Sequence, residues 1–383
     1  MWIFALRNLL TRPLRSSLAM IGLSIAIVGI VGLFSVTNGM TALVRSTLNM
    51  IEGVVVVRAG AMDPIFSTLP KSVGDEILKV AGVRHVNAEL WRLLPLLEGK
   101  STLARGILTA RALFGVDLKT RHLLKSGVYE RHVVTGRFLN QADQGTPNCL
   151  ISRTMSDELK KDVGHQLDVN GRMCTIVGIY ETGTLLLDLA VIVDLALAHQ
   201  LTGLAPDQVS SFLVELDDPR QPEHVIQRIE AAVRAPELDA RSVNEWTSDF
   251  ARIMTNLDIL LTVTTSIALF VGVVGILNTM LMSTTERLVE FGILKANGWS
   301  RADILRLIAV ESAYLGLASG VVGCTFGWLA ARVMSDFLPI RLVTPPGLLA
   351  MAAALAIGLG ILGGLYPAYR AARLHPMEAI RLG

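Results

Sequence analysis

Four stretches of the chain run without Asp, Glu, Lys or Arg: residues 16–44, 259–285, 312–331 and 342–369. Each is dominated by Leu, Ile, Val, Ala, Gly and Met, and each reaches the roughly 20 residues that a helix needs to cross the hydrocarbon of a bilayer. The pattern predicts four transmembrane helices, one before and three after a long middle segment. The first stretch follows Arg7, Arg12 and Arg15, as a cleaved signal peptide would. Its apolar run exceeds the roughly 7–15 residues of a signal core, and no small-residue cleavage site follows Val36, so an uncleaved span is expected.

The middle segment reads differently. Val54–Arg58 is a β-branched run, and strands are expected at Leu90–Leu97, Cys149–Ser152, Gln166–Val169, Met173–Tyr180, Ala190–Val193 and Ser211–Leu216. Asn170-Gly171 marks a two-residue hairpin. Ser72 with Asp75 has the spacing of a capping box opening a helix that Gly82 ends. Pro222, followed by Val225, Ile226, Ile229 and Val233, predicts an amphipathic helix. The segment is a folded α/β domain. The organisation expected is an amphipathic N-terminal helix and first span over 1–45, an α/β domain over 46–255, and three spans with a cytoplasmic loop at 286–303 within 256–383.

Short flanks set the orientation. Arg7, Arg12 and Arg15 precede span one. Arg287, Lys295, Arg301 and Arg306 lie between spans two and three, and Arg370, Arg373 and Arg381 follow span four. The connection between spans three and four has only Arg332 and Arg341. The excess of cations near cytoplasmic span ends places both termini inside and the α/β domain outside.

Composition agrees with this picture and removes several chemistries. Of 383 residues, 51% are hydrophobic and 18% charged, with a net charge of +2. Such a chain is a membrane protein, with no basic excess to recruit nucleic acid. Cys149, Cys174 and Cys324 are too scattered for a disulfide framework or a zinc site, although the first two can pair if their strands are neighbours. The seven histidines show no metal-ligand spacing, and no metal or catalytic residue is expected. Gly99-Lys100-Ser101 resembles the end of a phosphate loop, but the required glycine five positions earlier is Leu94. No ATP hydrolysis by these residues is expected. The charge-free spans argue against a proton relay.

Three features remain. Met1–Arg12 sets Trp2, Ile3, Leu6, Leu9 and Leu10 against Arg7 and Arg12, the pattern of an interfacial helix. Residues 286–301 read as a short helix, a glycine stop at Gly298 and a new helix capped by Ser300 and Asp303. Phe291, Ile293, Leu294 and Trp299 are expected to be exposed there until a partner covers them. Gly316, Gly320, Gly323 and Gly327 fall on one helical face suited to close helix packing, within the bundle or between two copies.

Glu286–Arg301 (ERLVEFGILKANGWSR) and Tyr366–Arg381 (YPAYRAARLHPMEAIR) resemble the two signature stretches of the MacB/FtsX/LolC-type permeases of ABC transporters. Gly136-Arg137-Phe138 through Asp143, Gly164 and Val177-Gly178-Ile179 are similar to that family's outer domain. The resemblance spans the whole chain and implies a permease in the bacterial inner membrane. It acts with a second permease copy, identical or related, and a separate ATPase dimer that binds ATP and Mg. No cofactor sits in this chain. Glu290, Phe291, Gly292, Ile293, Leu294, Lys295, Gly298 and Ser300 would form the ATPase-coupling element. An adaptor or substrate protein outside is a further implied partner. The cargo would be a lipoprotein, lipid, peptide or drug. The alternative is a non-transporting member that uses the same stroke to regulate a cell-wall hydrolase or signalling partner. A membrane-bound enzyme is disfavoured by the missing catalytic constellation.

Overall fold

The computed structural model describes residues 13–61, 63–105, 110–125, 127–218, 220, 222–233, 237–338 and 340–373. The expected interfacial helix at Met1–Arg12 lies outside the described residues, as does the second half of the Tyr366–Arg381 stretch. The described residues form two compact units. One is helical, up to Thr41 and from Ile253 onward; the other is α/β, from Ala42 to Arg252.

In the α/β unit a twelve-stranded mixed sheet carries the fold. Its strands include β1 (Val54–Arg58), β3 (Val83–Leu93), β4 (Leu96–Leu97), β5 (Lys100–Ser101), β6 (Ala112–Val116), β7 (Val133–Gly136), β8 (Asn148–Ser152), β9 (Gln166–Val169), β10 (Arg172–Tyr180), β11 (Ala190–Asp194), β13 (Ser211–Leu216) and β14 (Leu238–Ser242). A separate two-stranded sheet pairs β2 (Leu69–Pro70) with β12 (Gln208–Val209). The central strands are buried on both faces. Leu113, Cys149, Ile151, Val191 and Val193 point into one core, while Phe114, Leu150, Ala190 and Ile192 point into a second core on the other side. Alternation along each strand therefore separates two apolar cores rather than core and solvent. The β6/β11 and β8/β10 pairs are parallel.

Local signals explain several connections. Asn170 and Gly171 both take positive φ, 52° and 83°, and join β9 to β10 as a tight hairpin. The Ser72 box does not form: Ser72 is itself helical, its side chain makes no cap, and the helix α2 is only Val73–Ile77. The Gly136–Asp143 stretch is a structural corner. Arg137 donates to Asp143, which also accepts from the Asn140 N–H and from Asn148. A side chain on Gly178 would strike the Arg137 carbonyl, so this glycine permits the close crossing. Cys149 and Cys174 lie on the neighbouring strands β8 and β10 as buried, free thiols. Burial pushes the Cys174 thiol up to about 11. Glu98-Gly99 is the positive-φ turn between β4 and β5, and Lys100 stands exposed beyond it.

Among the described residues four helices are long and apolar enough to cross a membrane. They are α1 (Pro13–Leu48), α7 (Val243–Glu286), α9 (Arg301–Phe337) and α10 (Pro346–Arg373). The helices between are α2, α3 (Leu118–Arg121), α4 (Arg153–Leu159), α5 (Leu195–Thr202), α6 (Pro222–Ala232) and α8 (Leu288–Ala296). The glycine face of α9 is divided between two neighbours. Gly316 and Gly320 lie against Ala356 and Ala353 of α10, and Gly323 and Gly327 against Ile27 and Val31 of α1. Ser24 donates to the Ser319 carbonyl and Ser319 to the Met20 carbonyl, both at 3.2 Å. Small residues let the backbones approach, and the serines bond across the gap.

Candidate functional site

The segment between spans two and three is built for rigidity. Helix α8 ends in two bonds that satisfy its last carbonyls. The Trp299 N–H donates to the Leu294 carbonyl at 3.1 Å and the Gly298 N–H to the Lys295 carbonyl at 3.0 Å. Gly298 at φ +92° makes this Schellman turn available without strain. Two residues later Ser300 and Asp303 form a reciprocal capping box that starts α9. One helix stops and the next begins within five residues.

Arg287 anchors the other end of α8. It donates to both oxygens of Glu311 on α9, at 3.1 and 3.2 Å, and to Glu290 at 2.9 Å, and its guanidinium lies 5.1 Å from the Phe291 ring centre. Side-chain exposure is 8% for Arg287 and 3% for Glu311, so this is a buried ion pair. Lys295 donates to the carbonyl of Ala372 in the last turn of α10 at 2.7 Å. A cation there complements the negative end of that helix. Burial holds the Lys295 ammonium below the ordinary lysine range, with Arg301 adding to it.

These contacts correct the expected exposure. Phe291 is 1% exposed and belongs to the apolar core of the bundle, with Ile304, Leu307 and Ala371; Leu294 and Trp299 pack partly against the same core. Gly292 is buried as well. What α8 presents outward is Val289, Glu290, Ile293, Ala296 and Asn297, with Ile293 half exposed. Gly298 and Ser300 are exposed in the turn. The expected set thus divides into an inward half that fixes the helix and an outward half that is free to meet another molecule. The Arg287–Glu311 pair escaped the sequence reading. Its one signal was two opposite charges at neighbouring span ends, which linear spacing does not bring together.

Residues 16–232 match the family of the MacB-like periplasmic core domain, and residues 262–376 match the FtsX-like permease C-terminal family. The chain belongs to the MacB/FtsX-type ABC transporter permeases. This permease is 25% identical over 403 residues to the macrolide export ATP-binding/permease protein MacB of Bdellovibrio bacteriovorus, covering 98% of the chain and 60% of that protein. It is 25% identical over 384 residues to the pyoverdine export ATP-binding/permease protein PvdT of Pseudomonas fluorescens, covering 96% of the chain and 57% of that protein. An uncharacterised ABC transporter permease of Methanocaldococcus jannaschii is 27% identical over 286 residues, 70% of this chain and 69% of the other. The permease therefore spans about 60% of the length of the MacB and PvdT relatives it matches. Among solved structures, the periplasmic region of MacB from Actinobacillus actinomycetemcomitans aligns with 53% of the chain at a TM-score of 0.40 and 12% identity.

Proposed function

We propose that this permease relays ATP-driven motion of a separate ATPase subunit to its α/β domain, for export or extraction of an amphiphilic cargo. The observation that carries the reading is the construction of α8. The helix is fixed at one end by the Arg287–Glu311 pair and at the other by Lys295, and it leaves an apolar strip, Val289, Ile293 and Ala296, uncovered at one helical spacing. A force applied to that strip passes to α9 and α10 instead of being absorbed by bending. ATP and Mg would be bound by the ATPase, and a second permease copy would complete the dimer. Export is favoured over a regulatory role by the two relatives whose names state export of a macrolide and of pyoverdine.

The exposed strip defines the test. Burying one such side chain contributes roughly 1.5–3 kcal/mol, so Ile293→Asp is expected to release the co-purifying ATPase while the permease keeps its normal yield and melting temperature. Phe291→Asp is expected to lower the melting temperature as well, since that ring belongs to the bundle core. An Ile293→Asp permease that retains a full complement of ATPase would overturn the docking assignment.

A further inference from the structure

The α/β unit holds a cavity of about 430 Å3. This volume lies in the range of small-molecule pockets, roughly 300–1,000 Å3. Its wall includes a run of rings: Trp91 stacks on Phe114 at 4.0 Å, and Phe114 meets Tyr129 at 5.3 Å. Much of the remainder is aliphatic, from Val44, Leu48 and Ile51 at the end of α1 and from Leu186, Leu187 and Leu189.

The charges on this wall do not cancel. Arg241 is engaged by Asp239 at 2.7 Å, and Glu52 pairs with Arg131 at 3.3 Å. Arg121, buried, lies between Glu89 at 2.8 Å and Glu130 at 2.6 Å, one guanidinium against two carboxylates. The other Glu89 oxygen accepts from the Trp91 indole at 3.1 Å. Asp63 accepts the Ile65 N–H at 2.9 Å and has no cationic partner among the described residues. Of the wall carboxylates, Glu89 is met by Arg121, which Glu130 behind the wall shares, whereas Asp63 has no such partner among the described residues; Arg92, also behind the wall, donates to the Ile65 carbonyl. Burial pushes the Glu89 and Asp63 carboxyls above their ordinary range, a penalty that a nearby positive charge relieves. On the same wall the buried Trp246 indole N–H has no acceptor among the described residues.

We propose that this cavity binds an amphiphilic organic cation, with Asp63 and Glu89 as counter-charges and the Trp91–Phe114 stack against its apolar body. An anion meets the excess negative charge of the wall, and a neutral apolar molecule leaves it unmatched. Aromatic faces add to the preference for a cation. The proposal names the class of cargo for the export reading; binding itself needs neither ATPase nor nucleotide.

The test is a fluorescence titration of the full chain in phosphatidylcholine nanodiscs, with empty nanodiscs subtracted. The probes are 9-aminoacridine, a cation at neutral pH, acridine, its neutral counterpart, and the anion 1-anilinonaphthalene-8-sulfonate. The cation is expected to saturate, binding about tenfold more tightly than either of the others. Asp63→Asn keeps an oxygen for the Ile65 N–H and is expected to weaken 9-aminoacridine about tenfold while leaving acridine unchanged. Ala112→Phe, placed on the cavity wall, is expected to block all three. The absence of saturable binding, equal affinity for the three probes, or an Asp63→Asn chain that binds the cation like the wild type overturns the site. Because no ATPase is present, these results stand apart from the Ile293→Asp test.

Discussion

Asp143 has side chains and backbone on every side: Arg137, Asn148 and the Asn140 N–H all donate to it, and its side chain is 4% exposed. The Arg137 bonds draw its carboxyl down to about 2. In an unfolded chain an aspartate titrates near 3.8. The lowered value therefore stabilises the α/β unit above pH 4, and that contribution disappears as the pH falls from about 4 to 2. Arg137 is itself half exposed, which discounts the effect for solvent screening. Asp143→Asn is expected to cost about 1–2 kcal/mol at neutral pH and to remove part of the acid sensitivity between pH 4 and 2. Chemical denaturation of both chains across that range checks it; an unchanged acid limb contradicts the assignment. This corner is where the Gly136-Arg137-Phe138 and Gly178 resemblance acquires a physical reason.

At the scale of elements, α8 and α9 are joined by charge and α9 and α1 by the absence of side chains. Removing one member of a buried ion pair strands the other and typically costs roughly 3–5 kcal/mol, whereas replacing both by apolar residues is far milder. Glu311→Gln is accordingly expected to lower the melting temperature of the detergent-solubilised chain strongly. Arg287→Met with Glu311→Leu is expected to recover most of that loss while weakening ATPase stimulation, because α8 is then no longer held by a directional bond. If the double variant melts as low as the single one, the pair is not the anchor. The glycine contacts give a second test. A Cβ on Gly323 would sit 2.6 Å from the Cβ of Ile27, so Gly323→Val must push α9 from α1. A loss of about 1–3 kcal/mol is expected from such overpacking, read as reduced resistance to denaturing detergent.

For the whole molecule, the basic flanks and the four long apolar helices lead to a topology that labelling can decide. In a chain whose three cysteines are replaced by alanine, Lys79→Cys in the α/β unit and Ala296→Cys on α8 are both exposed positions. A membrane-impermeant maleimide applied to intact cells, with any outer membrane permeabilised, is expected to label position 79 and spare position 296. Labelling of 296 alone would reverse the orientation derived from the Arg and Lys distribution.

The sequence by itself determined the elements whose signals are local or long. Four charge-free runs specify four spans because length and hydrophobicity suffice for insertion. Asn170-Gly171, Gly298 and the Ser300–Asp303 box specify a hairpin, a helix stop and a helix start because each is solved within a few residues. The Ser72 pattern, equally local, failed because the backbone at Ser72 is already helical and its hydroxyl is not placed to cap. Tertiary structure decided the rest. Ala112–Val116 contains no polar alternation, since both faces are buried; Gly115 there gives way to Ala198 of α5, a contact that neither segment announces. The inward turn of Phe291, the Arg287–Glu311 pair and the division of the α9 glycines between two helices all join residues far apart in the chain. So does the charge on the cavity wall, where Asp63, Glu89 and Arg121 come together from separate segments. Periodicity reports which residues share a face, and only packing decides what that face meets.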